Sequence, residues 1–272
     1  MGSRSATAEC RAVLPFREKK GHAVACSLLL VLLLPLQLPA EDAPAVLTDE
    51  FGFSGFPGLP TADVMPVGGL RITAAAGYGE LEGGSDLVRL PLRACWGALS
   101  DLEVCTALPL YLDDNGMEGG ALGNISLGAS YLYERARGGT NLVLRARASL
   151  PTGSESRDGG SRLELGASTG TTFRLFRLSA TGLYGLASGN DPFSDDIHDY
   201  ARFVFGASSF VSPGLQLAGS MEGSTAGELT ASACCAYDPG GAMGLHGAVR
   251  AGLDGPWRYR LEAGASWTGF GF

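Results

Sequence analysis

Residues 141–150 read Asn-Leu-Val-Leu-Arg-Ala-Arg-Ala-Ser-Leu, and this stretch decides the fold. Leu142, Leu144, Ala146, Ala148 and Leu150 share one parity; Asn141, Val143, Arg145, Arg147 and Ser149 share the other. A period of two marks a strand whose successive side chains point to opposite faces. One face is wholly apolar and the other carries two arginines. The same sorting recurs outward in both directions. Residues 86–96 set Val88, Leu90, Leu92, Ala94 and Trp96 against Arg89 and Arg93. Residues 162–169 set Leu163, Leu165 and Ala167 against Arg162 and Glu164. Residues 257–267 set Trp257, Tyr259, Leu261, Ala263 and Trp267 against Arg258, Arg260 and Glu262. A helical period would not hold this sorting.

About twelve such strands are expected from the spacing of turn residues. They begin near Gly69, Asp86, Asp101, Ala121, Thr140, Ser161, Phe173, His198, Gly214, Glu228, Ala242 and Trp257. Connections alternate in character. Gly97-Ala98-Leu99-Ser100, Ser212-Pro213-Gly214 and Asp238-Pro239-Gly240-Gly241 are tight, whereas 113–120, 151–160 and 187–197 are longer. An all-β, closed antiparallel transmembrane barrel has this plan, with short periplasmic turns and longer extracellular loops. A soluble sandwich or a solenoid can alternate too. Neither explains an arginine-rich polar face opposite a face that is apolar in every strand. Trp96, Trp257, Trp267, Tyr78, Tyr133, Tyr184 and Tyr237 fall near strand ends on the lipid parity, where aromatic girdles belong.

The two ends of the chain agree with export. Arg17, Lys19 and Lys20 precede the apolar run 23–34, and residues 35–40 suit a cleavage region. That run is too short to span a bilayer, so residues 1–40 read as a signal peptide, with cleavage as late as residue 45. Residues 41–67 then form a periplasmic lead or a short plug, whose Phe51, Phe53, Phe56 and Leu59 could tuck into the barrel, and the barrel occupies 68–272. The chain stops on Phe270-Gly271-Phe272. An aromatic end of this kind suits an assembly signal read by the barrel assembly machinery. The apolar set of the last strand lies on the other parity, so a bulge near Gly269 is needed to bring Phe270 and Phe272 to the lipid face.

Composition bounds the chemistry. The formal net charge is −8, which argues against nucleic-acid binding. Three histidines leave little for a metal site, and no nucleophile–base pair stands out, so no metal, cofactor or catalytic residue is expected. The Gly count of 41 suits a crowded, tilted barrel wall. Cys95 and Cys105 share the lumen parity on either side of a tight turn; small wall-packing residues and a cross-strand disulfide are both open readings. The expected lumen set is Arg71, Arg89, Arg93, Arg145, Arg147, Arg162, Arg177, Arg202, Arg250, Arg258 and Arg260, against Glu103, Glu134, Glu164, Glu222 and Glu262. Acid then collects in the loops, at Asp113, Asp114, Glu118, Asp191, Asp195, Asp196 and Asp199, where outer-membrane lipid and lipopolysaccharide are the expected neighbours. The arginines can act as an anion-favouring constriction. They can equally form an Arg–Glu ladder that fills a narrow barrel.

Two stretches carry resemblances. Residues 51–72, FGFSGFPGLPTADVMPVGGLRI, resemble the amino-terminal signature of exopolysaccharide-linked outer-membrane barrel proteins. Residues 97–186 resemble the outer-membrane transporter family named for the meta-pathway of phenol degradation. The matching pieces are Leu108-Pro109-Leu110, then 120–128 (GALGNISLG), then 148–153 (ASLPTG). Asn124 stands where that family commonly has Asp. The resemblance implies a barrel that moves small hydrophobic or aromatic compounds. The expected function is passive passage of small solutes, hydrophobic or anionic. The alternative is a structural or assembly barrel serving exopolysaccharide export or surface adhesion.

Overall fold

The computed structural model describes residues 49, 53–81, 84, 86–114, 122–136, 140–153, 160–173, 176–188, 198–239 and 242–270. The signal peptide, Phe51, Phe272 and much of the longer loops lie outside these residues. Two very short strands, β1 (Gly55–Phe56) and β2 (Leu59–Pro60), form a hairpin of their own. Twelve longer strands follow: β3 (Gly69–Leu81), β4 (Asp86–Leu99), β5 (Leu102–Asp114), β6 (Ile125–Ala136), β7 (Thr140–Leu150), β8 (Ser161–Phe173), β9 (Phe176–Ser188), β10 (Tyr200–Ser212), β11 (Leu215–Ser224), β12 (Leu229–Tyr237), β13 (Met243–Asp254) and β14 (Trp257–Phe270). Each pairs antiparallel with its neighbours, and β14 pairs with β3 to close the barrel. Closure leaves no edge, which is what a sheet in lipid requires.

The parity read from sequence is the parity observed. In β7, Val143, Arg145 and Arg147 are buried inside while Leu144 is 43% exposed on the outer wall. Ile72, Leu92, Leu127, Leu165, Phe205, Met221, Leu245 and Leu261 continue this apolar exterior. Trp96, Trp267, Tyr133 and Tyr237 stand exposed towards the short-turn end, and Tyr78 and Tyr184 towards the long-loop end. Tyr259 tilts against Tyr78, with ring centroids 6.0 Å apart. The wall therefore has an apolar belt between two aromatic rims, the exterior of an outer-membrane barrel.

Two bulges, and the absence of a third, correct the expected placement. Between Trp257 and Tyr259 the β14/β3 register shifts, so Arg258 is the extra residue. It leaves the lumen set and sits exposed, ion-paired with Glu80. Trp257 moves the other way. Its ring lies against Gly79 on the inner face and beneath the Arg260 guanidinium, 3.8 Å away, so it is not a girdle residue. A second shift between Leu132 and Glu134 turns Glu134 outward, where it is exposed. The third bulge, expected near Gly269, is not there. The register runs unbroken from Trp267 to Phe270, which pairs with Gly69 on the parity of buried Ser266. Phe270 therefore keeps the lumen parity without the face change expected at Gly269, and Phe272 lies outside the described residues.

Candidate functional site: a lumen crossed by its own amino-terminal segment

Residues 53–68 lie inside the barrel, in the half that ends in the short turns. The sequence Phe56-Pro57-Gly58-Leu59 makes the hairpin turn. Proline then glycine suits a type II turn, and Gly58 has φ 81°. The hairpin crosses the lumen. On one side Phe56 and Leu59, each 2% exposed, pack on Val204, Ala218, Cys234 and Ala236 of β10, β11 and β12. On the other, Phe53 and Met65 pack on Cys95 and Cys105 of β4 and β5. Ala62 packs against Leu132 and Val143 of β6 and β7. Glycines on the inner wall leave room for these contacts. A Cβ at Gly128 would stand 2.6 Å from the Phe53 ring, and one at Gly206 would stand 2.6 Å from Leu59 Cδ1. The high glycine content thus serves the segment's seat as well as wall curvature.

Polar contacts fix the segment to the wall. Glu103 accepts hydrogen bonds from Ser54 N at 3.0 Å, from Ser54 Oγ, and from Met65 N at 2.8 Å. Arg145 lies 3.7 Å from the Asp49 carboxylate, donates to the Thr61 carbonyl and stacks 4.8 Å from the Phe53 ring centroid. Arg177 grips Asp63 through both guanidinium nitrogens. Asn141 Nδ2 donates to the Ala62 carbonyl at 3.1 Å, and Ser220 Oγ donates to the Gly58 carbonyl at 2.6 Å. Arg71, the remaining arginine at this level, donates to Thr268 Oγ1 at 3.2 Å and lies in the field of Glu103 and Asp63. Glu103, Arg145 and Arg177 are thus lumen residues as expected, and their partners belong to the segment. Asp49 and Asp63, which complete the set, were not singled out in the sequence; acids interrupting an apolar, export-proximal stretch were the available signal.

Nearer the long-loop end the inner wall carries three ion clusters, each centred on a glutamate. Glu262 receives Arg93 through two hydrogen bonds of 2.7 and 2.9 Å, Arg89 at 3.4 Å and the His246 ring at 3.4 Å. Glu164 receives Arg147 at 2.6 Å, Arg202 at 3.8 Å and the Tyr200 hydroxyl. Glu222 receives Arg202 at 3.5 Å and Arg250 at 3.4 Å. Arg162 and Arg260 line the same zone, Arg260 over Trp257. Several of these contacts skip a strand, and one local device makes that possible. Arg89, Gly77 and Glu262 stand in one register row, as do Tyr200, Gly185 and Glu164. In each row a glycine on the middle strand lets the longer side chain lie across it. A Cβ at Gly185 would meet the Tyr200 ring at 2.6 Å, and one at Gly77 would meet Arg89 Cγ at 3.2 Å.

The charge divides unevenly along the axis. Among the described residues the segment's level sets Arg71, Arg145 and Arg177 against Glu103, Asp49, Asp63 and Asp238, in whose field Arg71 lies. Above it, Arg89, Arg93, Arg147, Arg162, Arg202, Arg250 and Arg260 face only Glu164, Glu222 and Glu262. They form a ladder, and the ladder has more cations than anions. Among the described residues no group of three metal-ligating side chains gathers.

No protein-family model matches the chain, and no curated protein matches it in sequence. Solved structures do. An outer-membrane channel from Pseudomonas putida F1 matches with a TM-score of 0.62 at 14% identity, over 76% of this chain and 98% of that one. The NanC porin matches with a TM-score of 0.53 at 6% identity, over 73% and 98%. The KdgM porin, solved in complex with oligogalacturonate, matches with a TM-score of 0.52 at 7% identity, over 72% and 98%. At such identities the likeness is one of fold. With the apolar belt and its aromatic rims, it places this chain in the outer membrane.

Proposed function

We propose that the chain is a passive outer-membrane channel for small anionic solutes, held shut in this structure by its own Asp49 and residues 53–68. The observation that carries the reading is the axial split of charge. A cation-rich upper lumen concentrates anions, and an acidic segment, paired with cations of the wall, closes the lower lumen. A segment held by apolar side chains and a few ion pairs, with no covalent tie but its own chain, is separable from the wall. A merely structural barrel gains nothing from an interior with excess positive charge, because like charges gathered in a narrow lumen repel one another. Arginine lining also favours anions over the neutral aromatic cargo that the phenol-pathway resemblance implies.

Planar-bilayer recording tests this. Full-length protein should show rare, small conductance steps. In a salt gradient the reversal potential should have the sign of anion selectivity. A silent barrel under all voltages, including for variants whose segment has been released, would favour the structural reading. Cation selectivity would overturn the anionic one.

A further inference from the structure

We infer that Cys95 and Cys105 are a disulfide site, oxidised during export, that ties β4 to β5 beneath the seat of the inner segment. The two are register partners across an antiparallel pair and both face the lumen. They are 1% and 2% exposed, and both stand as free thiols in this structure. Directly opposed residues in an antiparallel ladder have Cα atoms roughly 4.5–5.5 Å apart, which lies within the span a disulfide bridges. Their Cβ atoms need to draw in by no more than about 1 Å to reach disulfide spacing. Among the described residues no third thiol lies at this place. Cys234 packs in the cluster on the other side of the hairpin, and Cys235 faces outward.

The chemistry is thiol–disulfide exchange with an exported oxidant that carries its own disulfide. The Cys95 thiolate attacks that disulfide, a mixed disulfide forms and one oxidant thiolate leaves. The Cys105 thiolate then attacks the Cys95 sulfur, the second oxidant thiolate leaves, and the two cysteine protons end on the oxidant's thiols. The chain loses two electrons and the oxidant gains them. Exchange needs access, which the burial of both thiols denies once the barrel is closed. It therefore falls in the oxidising compartment before insertion, and the same burial afterwards shields the bond from reductants. The product bears on the segment directly. Phe53 and Met65 pack on these two sulfurs, and Ser54 Oγ lies 3.9 Å from Cys95 Sγ. Cross-linked, this part of the wall keeps its shape whether or not the segment is seated on it.

Peptide mass mapping of full-length protein from outer membranes, denatured with an alkylating agent present, decides the matter. No Lys or Arg lies between the two cysteines, so trypsin leaves both in peptide 94–135, apart from Cys234 and Cys235 in peptide 203–250. Without reductant this peptide should be two hydrogens lighter than the dithiol and carry no alkyl group. After reduction it should carry two. Cleavage at Asp101 or Glu103 should give two peptides joined until reduction. Alkylation of both cysteines without reductant, or joining of either to peptide 203–250, would overturn the assignment. A Cys95→Ser/Cys105→Ser protein should show no reductant-dependent change in this peptide.

Discussion

Leu144→Arg and Arg145→Leu are neighbouring substitutions that should fail in different ways. Leu144 lies mid-strand on the outer wall, 43% exposed. An arginine there puts a charge near the bilayer midplane, at a cost of about 2–4 kcal/mol. At roughly 1.4 kcal/mol per tenfold, the ratio of inserted to uninserted barrel falls by about thirty- to a thousandfold. Arg145 lies inside, 4% exposed, and holds Asp49, the Thr61 carbonyl and the Phe53 ring. Removing it leaves a buried carboxylate without its cation, a loss typically of about 3–5 kcal/mol. That penalty applies only while Asp49 stays seated, so the segment escapes it by leaving the lumen. The wall itself has lost little. The assay has two readouts on detergent-folded protein. Closed barrels migrate faster unboiled than boiled, which reports closure. Chymotrypsin reports whether Phe53 is accessible, because the bonds after Phe56 and Leu59 run into prolines it does not cut. Leu144→Arg should lose the fast band. Arg145→Leu should keep it and become cleavable after Phe53, with larger conductance steps. If Leu144→Arg closes like the unaltered chain, the parity is wrong. If Arg145→Leu keeps its segment protected, the ion pair is not a latch.

Two further substitutions separate the seat from the ladder. Glu103→Ala removes the acceptor of three hydrogen bonds, each worth about 1.5–3 kcal/mol to a charged group, so chymotrypsin should cut after Phe53 in a barrel that still migrates fast; a protected Phe53 would refute this seat. Glu262→Gln leaves Arg93 and Arg89 without their shared carboxylate, so the fast band should convert at a lower temperature by an amount reflecting about 3–5 kcal/mol, and Arg93→Leu/Glu262→Leu should recover part of the loss. An unchanged transition in Glu262→Gln would mean the cluster contributes no stability.

The strands were legible because lipid leaves one face no choice. A period-two apolar face is imposed at every crossing, so the starts near Gly69, Asp86, Thr140, Ser161 and Trp257 fall where the strands begin. Inward positions followed from the same parity, and Arg71, Arg89, Arg93, Arg145, Arg147, Arg162, Arg177, Arg202, Arg250 and Arg260 keep it. Parity fails where one extra residue slips in. Arg258, Trp257 and Glu134 lie at or beside such bulges, and nothing in their local sequence marks the slip. Pairing was not legible either. Arg89 meets Glu262 across Gly77, and Tyr200 meets Glu164 across Gly185, because registers between strands distant in sequence align those rows. The apolar side chains at 53, 56 and 59 gave the segment's affinity for an interior. Its depth depends on Asp49 and Asp63 finding Arg145 and Arg177, which is a property of the closed barrel.

In the channel proposed here, the segment's charge would make opening and selectivity one event. Seated, Asp49 and Asp63 cancel the cations of Arg145 and Arg177 at the level they close. When the segment leaves, both carboxylates leave with it. The lower lumen then keeps Arg71, Arg145 and Arg177 against Glu103 and Asp238, and joins a cation-rich upper lumen into one positive path. A plug without acids would open the same hole with no change of field. A segment whose acids were fixed to the wall would open a path that still held anions back at its narrowest level. Release of this segment instead removes the steric block and the countercharge together, so the open state should be more anion-selective than any leak through the closed one. The strength of closure and the selectivity of the open lumen are therefore set by the same two ion pairs.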